Sequence, residues 1–219
     1  MIAAVSFWEY VSKNWGRLKE LLIEHAQIVL VSVAIAVVIG VGLGVLTYRT
    51  ERPRVAVLAV TGVFLTIPSF ALFGLLISPL GLGTTPAVVA LVMYALLPIV
   101  RNTITGLREV DPAVVESAQG MGMGRWRRLA RIELPLAWPI IITGIRVSTQ
   151  ILVGIAAIAA VINGPGLGKE IFRALARVGT PTALNQALAA VLGIVILGLL
   201  LDIGYLLLGR LTTSRGVRQ

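Results

Sequence analysis

Cysteine is absent from this chain of 219 residues and histidine occurs once, at His25. Disulfide frameworks and thiolate metal sites are therefore excluded, and no Ser-His-Asp set with its usual supports can be assembled. Charge is scarce too: 13% of residues are Asp, Glu, Lys or Arg, and none falls between Arg54 and Arg101. A water-soluble fold of this length needs a charged shell, so that stretch must face lipid or protein. The phosphate-binding pattern Gly-x-x-x-x-Gly-Lys-Ser/Thr is missing as well, because the glycine run from Gly164 to Lys169 has neither its spacing nor its hydroxyl. No catalytic residue, no metal ligand set and no ATP site is expected.

Apolar residues are what the chain has in excess, at 57%, with a mean hydropathy of +0.93. The bilayer is its solvent. The net charge of +9 would fit nucleic acid only if it were clustered among aromatics, yet the basic residues are spread over short loops. No nucleic-acid partner is expected. The first 24 residues mix Glu9, Glu20 and Glu24 with bases and lack a short apolar core, so they do not read as a signal peptide and are expected to stay attached.

About 20 apolar residues at a rise of about 1.5 Å each cross the hydrocarbon core. Five such runs stand between charges and turn signals: Ala26 to Tyr48, Val55 to Ile77, Pro86 to Gly106, Leu136 to Ile162 and Thr182 to Leu208. The fold class expected is all-α and polytopic, with five transmembrane helices. Arg49, Arg52 and Arg54 place the first loop in the cytoplasm, and the uncharged turn from Ser78 to Thr85 outside. Alternation then puts the N-terminus outside and the C-terminus inside, although Lys169, Arg173 and Arg177 in the outer loop go against the rule. Residues 1–25, with Trp8, Tyr10 and Trp15, read as an external amphipathic segment lying in the interface. Residues 26–209 form the transmembrane domain, with a cytoplasmic loop at 107–135, and 210–219 form a basic cytoplasmic tail.

That loop is built in two pieces. Asp111 caps a helix whose first position is Pro112 and which runs to about Met121, with Glu116 near its positive end. Gly122 and Gly124 end it, and a basic helix from Arg125 to Ile132 stops at Leu134-Pro135. A short helix showing Ala113, Ser117 and Ala118 can seat in another protein's groove, or it can merely join two spans. Physical reasoning leaves both readings open.

The order Glu116-Ser117-Ala118, Gly122, then Ile132-x-Leu134-Pro135 resembles the EAA motif of ABC importer permeases. The one departure is Ser117, where that family usually has alanine. Thr66-Ile67-Pro68-Ser69, Leu97-Pro98-Ile99-Val100-Arg101-Asn102-Thr103, Gly120-Met121-Gly122-Met123 and Gly164-Pro165-Gly166-Leu167-Gly168 extend the likeness over roughly residues 55 to 209. They are similar to the osmoprotectant branch, whose members import glycine betaine, choline, carnitine or proline betaine. The resemblance implies a type I ABC importer permease (MetI-like) fold in a bacterial or archaeal plasma membrane. It also implies a second permease, identical or related, a cytoplasmic ATPase pair that binds ATP and Mg, and an external solute-binding protein. Pro112, Glu116, Ser117, Ala118, Met121 and Gly122 would then couple the chain to the ATPase. A permease for another small solute such as an amino acid, a stand-alone secondary transporter, and a scaffold subunit without a path are the rival readings.

Candidates for lining a translocation path are Pro68, Ser69, Tyr94, Pro98 and Asn102, where helices break or polar groups enter a span, and Ser148 and Gln150 in the fourth span. Ordinary proline kinks and contacts between neighbouring helices explain the same residues without a path. Arg146 and Asp202 lie an estimated 12 to 15 Å from the cytoplasmic end, too deep to be left alone, and either pair with each other or snorkel. Gly40 and Gly44 are read as a packing face.

Overall fold

The computed structural model describes residues 6 to 212, and every regular element among them is helical. The longest helix, α1 (Phe7–Thr47), starts where the Ser6 hydroxyl accepts the Glu9 amide at 3.2 Å. It is continuous through the position where an interfacial segment was expected to give way to a span. Tyr10, Leu18 and Leu21 pack with Leu167, Ala189 and Ala190, so residues 7–25 are part of one rod docked on its own chain. Trp8 and Trp15 remain exposed on the opposite side. Residues 1–5 of the expected segment lie outside the described residues.

The expected second span is two helices, α2 (Glu51–Thr66) and α3 (Ser69–Leu80), bent by 101°. The cause is local: Pro68 has no amide to donate and keeps Ile67 out of the α region, at φ −72° and ψ 125°. The third span is α4 (Thr84–Arg108), reached through Gly81 and Gly83 at φ +75° and +103°. After it come α5 (Pro112–Gly120) and α6 (Arg125–Arg128).

The basic helix does not stop at Leu134-Pro135 as expected. It widens into a π turn over Leu129–Glu133 and continues as α7 (Leu134–Ile158) and a 3₁₀ turn (Ala159–Ile162), one helical run of 38 residues. Pro135 accounts for the widening, since its ring would collide with the Arg131 carbonyl in an ordinary α turn. The chain ends in α8 (Gly168–Leu175) and α9 (Ala183–Thr212). Of the basic tail expected at 210–219, residues 210–212 are the last turn of α9 and 213–219 lie outside the described residues.

Among the described residues four helical runs are long and apolar enough to cross a membrane, namely α1, α4, the run from α6 through the 3₁₀ turn, and α9, and the bent α2–α3 pair makes a fifth if it counts as one crossing. Helix α4 lies at the centre, packed mainly on α7 and α1. Lipid tails are as apolar as leucine, so close backbone approach rather than escape from water holds these helices together. Gly40 and Gly44 provide it on α1: a β-carbon there would stand 2.8 Å from Ile99 and 2.6 Å from Thr103. Gly144 does the same on α7, against Asn102 at 2.6 Å.

Candidate functional site

Helix α5 is specified by its own residues. Asp111 Oδ1 accepts the Ala113 amide at 2.8 Å, and Pro112 occupies the first turn, where no amide is needed. At the other end Gly122 sits at φ +77° and the Met123 amide returns to the Ala118 carbonyl at 3.1 Å, a closure that a left-handed residue at this place requires. The helix therefore keeps its shape with little help from the rest of the chain. Glu116, Ser117, Met121 and Pro112 are exposed, and Gly122 forms the reversal into α6.

Ala118 departs from expectation. It is 1% exposed, turned toward its own chain, so it seats α5 and cannot meet a partner directly. The Ser117 hydroxyl bonds back to the Ala113 carbonyl at 2.8 Å, which leaves a compact, small-residue surface. Trp126, in α6, is largely exposed, as are Met121 and, to a lesser degree, Val114. The sequence reading passed over Trp126, although a tryptophan among four arginines in a loop is a signal of contact with another molecule.

The path candidates separate into two groups. Tyr94 is buried, and its hydroxyl donates to the Ile67 carbonyl at 2.7 Å, holding the bend between α2 and α3. Asn102 donates to the Pro98 carbonyl at 2.8 Å inside the α4–α7 contact. Ser148 is buried and donates to the Ala95 carbonyl at 2.9 Å, tying α7 to α4. The lining role expected of Tyr94 and Ser148 gives way to packing, because both are buried and each hydroxyl already serves a backbone carbonyl within the chain, whereas Asn102 keeps a partly open surface. Pro68, Ser69 and Pro98 keep partly open surfaces, and Gln150 lies on the α7 face turned to α9.

Arg146 and Asp202 meet across α7 and α9, with Nε to Oδ1 at 2.5 Å and Nη2 to Oδ2 at 2.8 Å. This two-pronged geometry suits a planar guanidinium. Gln150 adds a bond to the Gly198 carbonyl at 3.0 Å and a long one, 3.5 Å, to Asp202 Oδ1.

Two buried carboxylates were missed by sequence reasoning. Glu170, on α8, is 0% exposed and accepts from Tyr10 at 3.3 Å, Arg17 at 2.8 Å, Arg173 at 2.6 Å and Gln186 at 2.9 Å. Nearby, Glu24 accepts the Gly166 amide and the Lys169 ammonium, each at 3.0 Å. His25 lies beneath them, and since Val153 O only accepts, its 3.0 Å contact makes Nε2 the donor. Glu133, at the end of the π turn, is 2% exposed and accepts from Tyr48 at 2.5 Å and from Arg49 and Arg128 at 2.8 Å each. Burial acts to lower the pKa of Arg49, but its bonds to Glu133 and Tyr48 outweigh it and hold the guanidinium above its ordinary value. No group of three or more His, Asp or Glu side chains among the described residues is arranged to hold a metal ion.

Helical runs long and apolar enough to cross a membrane, with a small self-capped helix in a connecting loop, are what a membrane-spanning transport subunit requires. The chain belongs to the binding-protein-dependent transport system inner membrane component family, whose model matches residues 36–214. It is 40% identical over 215 residues to the osmoprotectant import permease protein OsmW of Salmonella typhimurium, covering 95% of this chain and 98% of that one. It is also 40% identical over 163 residues to the glycine betaine/carnitine/choline transport system permease protein OpuCB of Bacillus subtilis, covering 74% and 75% of the two. Its fold matches a chain of the methionine ABC transporter MetNI in an inward-facing conformation, with a TM-score of 0.80 at 23% identity, over 90% of this chain and 96% of that one.

Proposed function

We propose that this chain is the membrane-spanning subunit of an ATP-driven importer of quaternary-ammonium osmoprotectants such as glycine betaine, choline, carnitine or proline betaine. The observation that carries the reading is α5, a self-capped helix with Glu116, Ser117 and Met121 open to a partner, in a chain alike over nearly its whole length to an osmoprotectant permease. The α5 end faces the cytoplasm, where an ATPase pair binds ATP and Mg and receives the helix. The C-terminus lies on the same side and the N-terminus on the other. No cofactor is held by this chain.

A second permease, identical or related, completes the path, and an external binding protein delivers the solute. The exposed apolar faces of α2 and α3, with Pro68 and Ser69 at their bend, supply this chain's wall, together with the open surface at Pro98. A permanently cationic solute is best held by aromatic faces, and this chain has few of them within the spans. Tight recognition therefore belongs to the binding protein, and the permease makes weak contacts that release.

The test is uptake of labelled glycine betaine into vesicles holding the permease, its ATPase and its binding protein. Uptake must require ATP and all partners, and Glu116→Lys must abolish it. Uptake by the chain alone would establish a self-sufficient carrier instead. Competition by an amino acid at equal concentration, with no effect of betaine or choline, would reassign the solute.

A further inference from the structure

Nothing in the proposed function uses Glu133, yet it is among the most heavily bonded side chains in the molecule. Its carboxylate lies where three elements converge. Arg128 comes from α6, directly after the α5–α6 reversal, while Tyr48 and Arg49 come from the end of α1. Arg49 Nε also donates to the Tyr48 hydroxyl at 2.5 Å, so the α1 side of the cluster is itself cross-braced. Arg128 and Glu133 are nearly sealed from solvent, with side chains 6% and 3% exposed.

The pairing depends on the π turn. In an α-helix, residues five apart do not share a face, because neighbours on one face are three or four apart. The wider turn from Leu129 to Glu133, closed by the Leu134 amide on the Leu129 carbonyl, rotates Glu133 back over Arg128. Bulges of this kind inside helical runs are frequent at functional positions.

The mechanical consequence follows from connectivity. Because α6 runs through the π turn into α7 without a loop, a displacement of α5 is delivered to the base of α7. Helix α1 has no covalent link to that base. Apolar side chains of the two pack there, Tyr48 with Leu129 in one cluster against Val41 and Leu134, but the directional, charged tie is Glu133, through Tyr48 and Arg49.

We propose that Glu133 is a positioning residue that makes the inner end of α1 move with the coupling loop, so that force entering at α5 drives α1 and α7 together. This rests on the reading of the chain as an importer subunit. Without the joint α5 still docks and the ATPase still turns over, but α1 lags and the path fails to alternate.

The experiment uses the complete complex in vesicles, with ATP hydrolysis stimulated by the solute-loaded binding protein and solute uptake measured on the same sample. Two variants are compared. Glu133→Gln removes the charge and turns a donor toward two arginines. The double variant Tyr48→Phe with Arg49→Gln cuts only the α1 side and leaves Arg128–Glu133 in place, so it stays informative if the first variant fails to assemble. Expected is a roughly tenfold fall in solute imported per ATP in both, with hydrolysis within about twofold of the unmodified complex. Glu133→Asp, which keeps the charge, regains most of the loss.

An unchanged ratio in both variants overturns the proposal. So does a parallel fall of hydrolysis and uptake in both, which a merely structural role would give. If the unmodified complex imports nothing with ATP, it is the importer reading that fails.

Discussion

The short helices α8 and α5 treat their charges in opposite ways. At the α8 end, Lys169 is bonded to Glu24, Arg173 and Arg17 to Glu170, and Glu170 is wholly buried. On α5 and the outer side of α6, Glu116, Arg125 and Arg127 stand in solvent, while Arg128 turns inward to Glu133, and α5 itself is held mainly by its caps and by Ala118. An element whose charges are met within the chain is locked to it. One whose charges are left open is shaped to be received by something else.

The comparison can be broken by substitutions, ranked here by their effect on thermal melting of the purified permease. The largest belongs to Gly168→Ala, because a β-carbon there would overlap the Ala157 carbonyl oxygen. Backbone cannot yield as a flexible side chain can, and a loss of on the order of 4 kcal/mol or failure to insert is expected. Next comes Glu170→Gln, which leaves Arg17 and Arg173 without their counter-ion. Both arginines are about half in water, at 44% and 49% exposure of their side chains, so the cost is about 2 kcal/mol, below that of a sealed pair.

Gly44→Ala presses on Cβ and Cγ2 of Thr103 and is relieved only by α1 shifting from α4, for which a loss of about 1–2 kcal/mol is expected. The smallest effect belongs to Glu116→Lys, within about 0.5 kcal/mol of the parent protein, as for surface changes generally. That same variant is expected to abolish ATP-driven uptake. A large drop in its melting temperature would show that α5 is as locked as α8 and remove the asymmetry.

Much of the α5 end was legible because its signals are local. Asp111-Pro112 and Gly122 fix their turns whatever surrounds them, and the start, the stop and the motif of α5 lie within a dozen positions. Arg146 and Asp202 were legible for a different reason: a charge deep in an apolar run demands a partner, and there were few to choose from. The α8 end was opaque because its signals are distant. Trp8, Tyr10 and Trp15 made the N-terminal segment look interfacial, and nothing in the sequence revealed that Lys169 and Glu170, some 150 positions on, would meet Glu24 and Arg17. Glu133 escaped notice since its partner Arg128 is five residues away, a spacing that α periodicity dismisses. The proline that makes the spacing work had been read as a helix stop.

One consequence of α1 concerns scale. At about 1.5 Å per residue its 41 residues reach about 61 Å, twice the roughly 30 Å of a hydrocarbon core. The portion beyond the lipid is a mast, and α8 with its turn is lashed to it by Glu24, Tyr10 and Arg17. Any protein alighting on that platform meets a landing surface whose height above the lipid is set by a ladder of backbone hydrogen bonds rather than by the compliance of the bilayer.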